Sequence, residues 1–401
     1  MFRLFAVALV CVVPCVSSAQ VVLTFEDVVS RARAQSPGVA LGQARVAEAE
    51  AVASGAGRRQ YGPVIEAAAG PRRVPGSTLA DIDIGFSQQF EVAGQRRVRT
   101  DAAVASAARV AAEAAEASRD AVRRAADAFL RAVAAGEHVR LAEEAEATNV
   151  ALRAVMERRL AAGDVAAMDV NLARIETARS AAAVRVARAA QQAALGELRV
   201  VLRLAQSSIA VRGTLDVTSL PPAGGLRDGS LSRPALAALD AEAREADAAI
   251  RLARAGTRPD LGLRIGYGRE GGDTIVLGGL VVTLPAFRAV PAATAAATAR
   301  ATRARLELAL AREAGIAEVG AATETHVLRA QAAAGLAAEA LPAITDNDSL
   351  AARSYEAGEL SLIDLLRIRR DAMDTRLVLL DLRLEAARSR LDVDYLSGAL
   401  R

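Results

Sequence analysis

Apolar and polar residues recur with two different periods along this chain, and these periods predict long helices interrupted by short strands. Residues 95–160 contain only isolated glycines as helix-breaking residues, so we expect one continuous helix on the order of 100 Å long. Apolar positions spaced by four and three residues predict a coiled-coil seam on this helix and another on the last helix. The first seam comprises Leu141, Ala145, Thr148, Leu152 and Val155, and the second comprises Met373, Leu377, Leu380, Leu384, Ala387 and Leu391.

Further helices are predicted on both sides of this long helix. They are expected at about 24–59, 166–204 and 234–255, and two more end near Arg353 and Leu396. Thr24 is expected to cap the first helix, which is interrupted near Ser36-Pro37-Gly38. A kink or a break is expected between Pro342 and Asp348, because proline lacks the backbone N–H that an inner helical turn uses.

Four segments alternate between apolar and polar residues, which is typical of strands with one apolar face. They lie at about 63–70, 81–90, 260–268 and 274–284, and the turn-rich stretch from Gly70 to Ser77 is expected to join the first two. The apolar positions that we expect to face a membrane are Ile82, Ile84, Phe86, Leu261, Leu263 and Ile265. Strands of this kind are typical of outer-membrane barrels, although two ordinary hairpins on a soluble sheet would show the same alternation.

Four strands cannot close a barrel by themselves, and an open sheet edge in lipid leaves backbone groups unpaired. If these strands enter a membrane, the chain must therefore contribute them to a barrel shared with other copies, and three copies would supply twelve strands. No later stretch has 18 uncharged apolar residues, so we expect any membrane insertion to use strands.

The order of elements occurs twice in the chain. Ala162-Gly163-Asp164 recurs 195 positions later as Ala357-Gly358-Glu359, and Asp169 recurs as Asp364 at the same spacing. Duplication at one offset predicts a pseudo-symmetric protomer. We assign residues 20–211 to the first repeat (copy one), 212–233 to a linker and 234–401 to the second repeat (copy two).

Residues 1–19 resemble a secretory signal peptide. Arg3 precedes an apolar run that is too short to span a bilayer, and Ser17-Ser18-Ala19 offers a small-residue cleavage site. Cys11 and Cys15 lie inside this segment, so the mature chain is expected to contain no cysteine and no disulfide.

Composition excludes several classes of function. Tryptophan is absent and aromatic residues make up 3% of the chain, so small residues must pack long helices closely. The formal net charge is only +3, and the arginines alternate with acidic residues along the helices, as in solvated helical faces. No basic cluster with interleaved aromatic residues is present, so we expect no nucleic-acid binding.

Chemistry is scarce in this sequence. His138 and His326 are the only histidines, and each lacks a second histidine or a cysteine at the spacing of a metal site. No nucleophile–base motif and no phosphate-binding glycine loop is found. We therefore expect no catalytic residues, no metal site and no cofactor, and we do not expect an enzyme.

The signal peptide, the duplicated helix–hairpin–helix order and the paired turns resemble the TolC-like outer-membrane efflux proteins. Within them, the segment Gln88–Arg97 is similar to the strand-to-helix junction of the heavy-metal branch, the CzcC-like and CusC-like members. The resemblance implies an α+β membrane protein that forms a homotrimer. Its long antiparallel α-helical coiled-coil tunnel would continue into a shared twelve-stranded outer-membrane β-barrel, and the linker would lie in the equatorial region.

The same resemblance implies a function and partners. The protein would be the outer-membrane channel of a tripartite efflux system in a Gram-negative bacterium, with most of the chain in the periplasm and the strands in outer-membrane lipid. It would serve as a passive exit duct for metal ions or small toxic solutes, and would dock onto a periplasmic adaptor (membrane fusion) protein and an inner-membrane RND pump.

Candidate site residues also follow from the resemblance. The turns at Gly163-Asp164 and Gly358-Glu359 correspond to the tips onto which adaptor hairpins dock, and Tyr355 and Asp364 correspond to residues that narrow the periplasmic mouth. The second constriction aspartate of the family is replaced here by Arg367, which is placed to pair with Asp364 across one helical turn.

Each of these roles has an alternative. Asp364 can instead stabilise the start of its helix as a favourable charge. Asp169, its counterpart in copy one, is expected to cap or pair near its own turn. The two glycines can simply permit the chain to reverse.

Two other classes of protein are compatible with parts of the sequence. One is a periplasmic or surface coiled-coil structural protein, which the strands at matching positions of both copies disfavour. The other is a secreted enzyme, which the missing catalytic motifs disfavour.

Overall fold

The computed structural model describes residues 21–204, 208–215, 233–284 and 290–400. The predicted signal peptide, with Cys11 and Cys15, lies outside the described residues, and so do residues 216–232 of the predicted linker. The described residues are mostly helical, with one four-stranded antiparallel sheet, so the predicted fold class is confirmed.

The elements follow the predicted order. The helices are α1 (Phe25–Gln35), α2 (Pro37–Ala56), α3 (Gln95–Ala162), α4 (Ala167–Val201), α5 (Pro234–Ala255), α6 (Val290–Glu356) and α7 (Leu362–Leu396). The strands are β1 (Val21–Leu23), β2 (Val64–Val74), β3 (Ser77–Phe90), β4 (Ile209–Val211), β5 (Asp260–Glu270) and β6 (Asp273–Thr283). No described helix combines the length and the apolar character needed to cross a membrane.

The first two helices begin where side chains satisfy free backbone N–H groups. Thr24 Oγ1 accepts a hydrogen bond of 3.3 Å from the backbone N–H of Asp27, and Asp27 Oδ2 accepts one of 3.0 Å from the N–H of Thr24. This reciprocal pair confirms the predicted cap. The predicted interruption is confirmed as well, because Ser36 caps α2 and Pro37 occupies its first turn.

Helix α6 is continuous, so the predicted break between Pro342 and Asp348 is wrong. Proline removes one backbone hydrogen bond, but the remaining bonds of a long helix are unaffected. Buried residues on both sides of the proline, Ala333 and Ile344, anchor the helix through this point.

The main sheet has the strand order β2-β3-β5-β6, and each neighbouring pair is antiparallel. The first hairpin is longer than predicted, because Gly70 pairs with Asp81 and the register continues to the pair Val74 and Ser77. The predicted loop from Gly70 to Ser77 is therefore wrong. A two-residue turn suffices because Gly76 adopts a φ of 89°. Strands β1 and β4 form a separate parallel pair.

The buried seams of the long helices drift away from the predicted ones. In α3, Leu141 and Leu152 are buried as expected, but Thr148 is exposed and Met156 is fully buried. In α7, Leu379 is buried and Leu377 and Leu380 are half-buried. A straight helix rotates by about 20° per heptad relative to an ideal seam, so one strict heptad register does not stay buried along such a length.

The chain divides into two compact units, and each combines segments of both repeats. One unit is built mainly from Arg124–Asp216 and Ala332–Ala387, and the other from Arg33–Arg123 and Val217–Gln331 with Arg388–Arg401. The first unit contains a buried cluster of Leu152, Met156, Val170, Ala173, Ala351, Leu362, Leu365 and Leu366. The second contains an alanine cluster of Ala243, Ala246, Ala301 and Ala304, so its helices pack closely through small side chains.

Candidate functional sites at the sheet and at the helical turns

The main sheet separates charge between its two faces. Directly opposed residues of antiparallel strands share a face, and alternate residues point to opposite faces. By the observed register, all six carboxylates of the four strands lie on one face, which we call the polar face: Glu66, Asp81, Asp83, Asp260, Glu270 and Asp273. Two arginines neutralise part of this charge there. Arg264 donates to Glu66 at 3.3 Å, and Arg72 donates to Asp81 at 2.7 Å and to Glu270 at 2.8 Å.

The opposite face is apolar and open. All six predicted membrane-facing residues lie on it, because Ile82, Ile84 and Phe86 share the face of Leu261, Leu263 and Ile265. Ile84 is 48% exposed and Ile265 is 49% exposed, whereas Leu261 is half-buried near the helices. An apolar surface that is continuous across four strands is a binding surface for lipid or protein.

The two outer strands leave the sheet open. The residues of β2 and β6 are all described, and neither strand has a neighbour on its outer side. Strand β6 exposes large apolar residues on both faces, which are Ile275, Val276, Leu277, Leu280, Val281 and Val282. Sequence reasoning placed this strand but missed its two-sided apolar character, which the charge-free run from Ile275 to Val282 indicates.

A buried carboxylate fixes the strands to the helices. Asp260 is 7% exposed and accepts hydrogen bonds from Tyr61 Oη at 3.0 Å, Gln89 Nε2 at 3.2 Å and Gln95 Nε2 at 3.1 Å. Sequence reasoning did not single out Asp260. The only indication was the segment Gln88–Arg97, which supplies two of the three donors.

A second polar contact holds the same junction. Arg99, in the first turns of α3, forms an ion pair with Glu91 and donates to the carbonyl of Ala56 at 3.1 Å. The hydrogen bond to Glu91 raises the pKa of the Arg99 guanidinium, so this guanidinium stays charged at any physiological pH. The junction is therefore held by charge and by hydrogen bonds rather than by a large apolar core.

The two helical turns have the same backbone conformation. We call residues 162–166 the copy-one turn and residues 357–361 the copy-two turn. Gly163 has a φ of 82° and Gly358 a φ of 78°, and a Cβ atom on either would have open space around it. The turns require glycine for its positive φ rather than for its small size. Asp164 and Glu359 are exposed beside these glycines, as predicted.

Each turn also presents one exposed apolar side chain that sequence reasoning missed. Met168 is 67% exposed and Ile363 is 59% exposed, and the two lie at equivalent positions of the two copies. Each is the second residue of the helix that follows its turn, two positions before a member of the buried cluster, Val170 or Leu365. Their equivalence in the repeat offset was the available sequence signal.

The predicted gate residues do not form one cluster of contacts. Tyr355 is half-buried, and its Oη lies 3.2 Å from Met156 Sδ. The guanidinium carbon of Arg159 lies 5.5 Å from the centroid of the Tyr355 ring, a distance that suits a cation–π contact. Tyr355 of copy two is thus held by α3 of copy one.

Asp364 lies in the first turn of α7 and is hydrogen-bonded to Ser361, the residue that caps this helix. Its Oδ2 accepts a hydrogen bond of 2.6 Å from Ser361 Oγ, which in turn accepts the backbone N–H of Asp364 at 3.2 Å. Arg367 is exposed, and among the described residues it forms no ion pair with Asp364, so the predicted pair is wrong. Asp169 does not cap α4, because the cap position is Ala166 and has no side-chain hydrogen bond.

Two ion pairs connect α7 with other helices of the same unit. Arg370 donates to Glu176 of α4 at 2.6 Å, and Arg369 donates to Asp348 of α6 at 3.1 Å. Glu176 also accepts from Arg179 at 2.8 Å, so it bridges two guanidinium groups. Sequence reasoning missed these residues, because their partners are distant along the chain.

The histidines lie in different surroundings. His326 is buried and its Nδ1 lies 3.1 Å from Ser389 Oγ, while His138 lines a groove beside Glu144 and Arg370. Across the part of the chain that the structure describes, no three His, Cys, Asp or Glu residues are grouped closely enough to hold a metal ion.

Comparison with known proteins agrees with this architecture. Residues 228–399 match the sequence profile of the family described as outer membrane efflux protein. The fold is similar to the outer membrane channel CmeC of Campylobacter jejuni, with a TM-score of 0.79 and 16% identity over 93% of this chain and 85% of that chain.

Two further solved structures have the same fold. The outer membrane protein VceC of Vibrio cholerae has a TM-score of 0.75 and 19% identity, over 93% of this chain and 96% of that one. CusC, described as forming a transmembrane channel, has a TM-score of 0.79 and 17% identity over 93% and 92%. A search of curated protein sequences finds no match. The described fold is therefore that of solved outer-membrane channels.

Proposed function

We propose that this chain is one protomer of a homotrimeric, TolC-like outer-membrane channel that serves as the passive exit duct of a tripartite efflux system. The observation that supports this most strongly is the main sheet. It has an exposed apolar face, a polar face that holds the carboxylates, and two unpaired edges. A soluble protein would have to cover both the apolar face and the edges.

Pairing between copies satisfies both requirements. Backbone N–H and C=O groups in lipid must be hydrogen-bonded, so the free edge of β2 must meet the free edge of β6 from the next copy. Three copies then close a barrel of twelve strands, with the apolar face in lipid and the polar face toward water. The aromatic residues on the apolar face support this orientation: Phe90 lies near the helices, and Tyr267 lies toward the hairpin turns. Aromatic residues at both borders are typical of outer-membrane barrels.

Disulfide crosslinking of the two edges tests the trimer. Cysteine at Ala67 of β2 is combined, in separate variants, with cysteine at Val276, Gly278 or Leu280 of β6. These variants sample different registers between neighbouring copies, and the correct one should bring the two sulfur atoms within bonding distance. We expect a ladder that ends at the trimer on a non-reducing gel. The matched control pairs Ile84 with Tyr267, which are neighbours within one chain and should give only crosslinked monomer. A protein that is released from cells without detergent and runs as a monomer would instead favour a coiled-coil structural role.

The helical turns are the proposed docking sites for a periplasmic adaptor, which would in turn connect to an inner-membrane RND pump. Gly163, Asp164, Gly358 and Glu359 are all exposed, and Met168 and Ile363 add one apolar contact to each turn. Cysteines at Asp164 and Glu359 should crosslink to the adaptor in cells, while cysteine at the exposed Val186 of α4 is the control. Crosslinking from Val186 but not from the turns would place the docking site elsewhere.

The periplasmic gate is proposed to involve Tyr355, Asp364 and Arg367. Opening would require α6 and α7 to move relative to α3 and α4, which breaks the contact of Tyr355 with Met156 and the ion pair of Arg370 with Glu176. Replacement of Tyr355 or Asp364 with alanine should raise single-channel conductance in planar bilayers. Unchanged conductance and cation selectivity in both variants would remove these residues from the gate.

The exported solute is proposed to be a metal ion or a small toxic compound. The similarity of Gln88–Arg97 to the heavy-metal branch supports the metal. Deletion of the gene should increase sensitivity to divalent metals or Cu⁺, and a deletion strain that is sensitive only to organic toxicants would exclude the metal-exporting assignment.

A further inference from the structure

The arginines of the main sheet fall into two classes. Arg72 and Arg264 lie on the polar face, and both are paired with carboxylates. The register places Arg73 and Arg269 on the apolar face, in line with Ile82, Ile84 and Ile265. Both are exposed, and neither forms an ion pair or a side-chain hydrogen bond with any described residue. The apolar face therefore has cations and no carboxylate.

Both arginines also lie at the same end of the apolar face. Arg269 pairs with Ile82 and Thr274 beside the second hairpin turn, and Arg73 pairs with Thr78 beside the first. Along β5, the eight steps from Leu261 to Arg269 span about 27 Å at about 3.3–3.4 Å each. At a tilt of about 40°, this corresponds to roughly 20 Å of membrane depth, most of the apolar band of an outer-membrane barrel. The Arg269 guanidinium therefore reaches the membrane surface on the side of the hairpin turns, and Arg73, whose partner Thr78 lies four residues beyond Ile82 on β3, extends past it among the headgroups.

We propose that Arg73 and Arg269 bind the phosphate groups of an anionic lipid in the leaflet on the hairpin side of the membrane, such as the phosphorylated disaccharide of lipid A. This inference rests on the proposed function, since it requires the apolar face to lie in a membrane. The arginine stem can lie on apolar surface while the guanidinium reaches the headgroups. Its planar fork donates two parallel hydrogen bonds to one phosphate, and no carboxylate of this face competes for it.

Charge complementarity decides between a phosphorylated and a neutral lipid as the occupant. The same strands hold six carboxylates, all on the other face, where they would repel phosphate. Three protomers would offer six guanidinium groups around the barrel. Anionic headgroups attract each nearby arginine, and the attraction falls off within a Debye length of the surface.

The test compares lipids and variants in nanodiscs of otherwise neutral phosphatidylcholine. The wild-type trimer is reconstituted with lipid A or with chemically dephosphorylated lipid A, and bound lipid is counted by native mass spectrometry. The double variant Arg73→Gln/Arg269→Gln is compared with Arg45→Gln/Arg185→Gln, which removes two exposed helix arginines that have no ion pair among the described residues.

We expect the wild type and the helix control to retain lipid A in preference to its dephosphorylated form. The double variant should bind lipid A about thirtyfold more weakly, which is the combined attraction of two arginines to an anionic membrane surface. Lysine keeps the charge but lacks the planar fork. The affinity of Arg73→Lys/Arg269→Lys for lipid A should therefore lie between those of the wild type and the glutamine variant. If the glutamine variant does not assemble, this lysine variant alone must still bind lipid A more weakly than wild type.

Different failures have different meanings. A wild type that enters no nanodisc overturns the proposed function itself. A wild type that inserts but holds both lipids equally overturns only the phosphate-binding inference. Inorganic phosphate that displaces lipid A at millimolar concentration, or raises the melting temperature of the detergent-solubilised trimer as much as lipid A does, would show a free-phosphate site and also overturn it.

Discussion

The copy-one turn and the copy-two turn have the same backbone but different side-chain contacts. In each, a glycine with positive φ ends a long helix, and the next residue donates its N–H to a carbonyl five residues earlier: Asp164 to Arg159 at 2.8 Å and Glu359 to Ser354 at 2.9 Å. In copy two, Ser361 and Asp364 cap the next helix, whereas copy one has Ala166 at the cap position.

A second difference is how each preceding helix is anchored. Tyr355 contacts Met156 and Arg159, while its copy-one counterpart Leu160 is exposed. The duplication has therefore preserved the turn geometry while the contacts that stabilise it have diverged. Changes to the turn backbone or to the apolar face of the sheet should therefore affect both copies to the same extent. Changes to the helix caps should affect the two copies differently.

The largest effect is expected on the apolar face of the sheet, where the two copies should respond equally. The test variants are Ile84→Arg and Leu263→Arg. Both positions lie on the apolar face, two residues from the paired Phe86 and Ile265 and on opposite sides of that pair. Each should cost about 2–4 kcal/mol per protomer near the bilayer midplane. Unfolding of the lipid-reconstituted trimer measures this, with Ser87→Arg on the polar face as the control. Equal tolerance of all three variants would show that the apolar face does not contact lipid.

The turn glycines should give the next largest effect, again equal in both copies. Gly163→Ala and Gly358→Ala force a Cβ atom into a left-handed conformation, at a cost of about 1–2 kcal/mol each. Thermal unfolding should show similar losses for the two variants, with Gly320→Ala inside α6 as a control that is neutral or stabilising. A loss in only one copy would mean that the turns are not equivalent in the assembled protein.

Changes to the helix caps should affect the two copies differently. Ser361→Ala should destabilise the start of α7 by about 1 kcal/mol, and Ala166→Ser should stabilise the start of α4 by up to about that amount. Amide hydrogen exchange at the two helix starts reports both changes. If Ser361→Ala leaves exchange at Asp364 and Leu365 unchanged, the cap seen here does not stabilise the helix.

The smallest effect is expected on the stability of the copy-one turn when the pH is lowered. Hydrogen bonds from Arg153 and Arg174 lower the pKa of Glu157, which joins α3 to α4 near the copy-one turn. Since the folded-state pKa lies below the unfolded one, this stabilisation is present above the ordinary glutamate range and is lost as pH falls through the lowered value. Copy two has Ala352 at the equivalent position. The protection of backbone amides near the copy-one turn, measured relative to their intrinsic exchange rates, should therefore fall in acid, and Glu157→Gln should remove that dependence.

Much of the fold is determined by local pattern, and the sequence predicts those parts well. Helix α5 begins and ends at the predicted residues, and α7 ends at Leu396 as expected. The turns at Gly163 and Gly358 were visible because glycine adopts positive φ more readily than any other residue. That Ile82, Ile84 and Phe86 share one face, and Leu261, Leu263 and Ile265 another strand's apolar face, could be predicted because alternation along each strand already assigns its residues.

The pairing of side chains distant along the chain was decided only by tertiary structure. Strand alternation cannot say that Arg72 is neutralised by Asp81 while its neighbour Arg73 forms no ion pair with any described residue, since this depends on which strands become neighbours. In the same way, Asp364 accepts a hydrogen bond from Ser361 and does not pair with Arg367. Asp260 accepts hydrogen bonds from donors in three other segments. The period of the apolar pattern determines the face on which a side chain lies. Its partner is determined only in the folded chain, which brings donor and acceptor atoms within about 3 Å of each other.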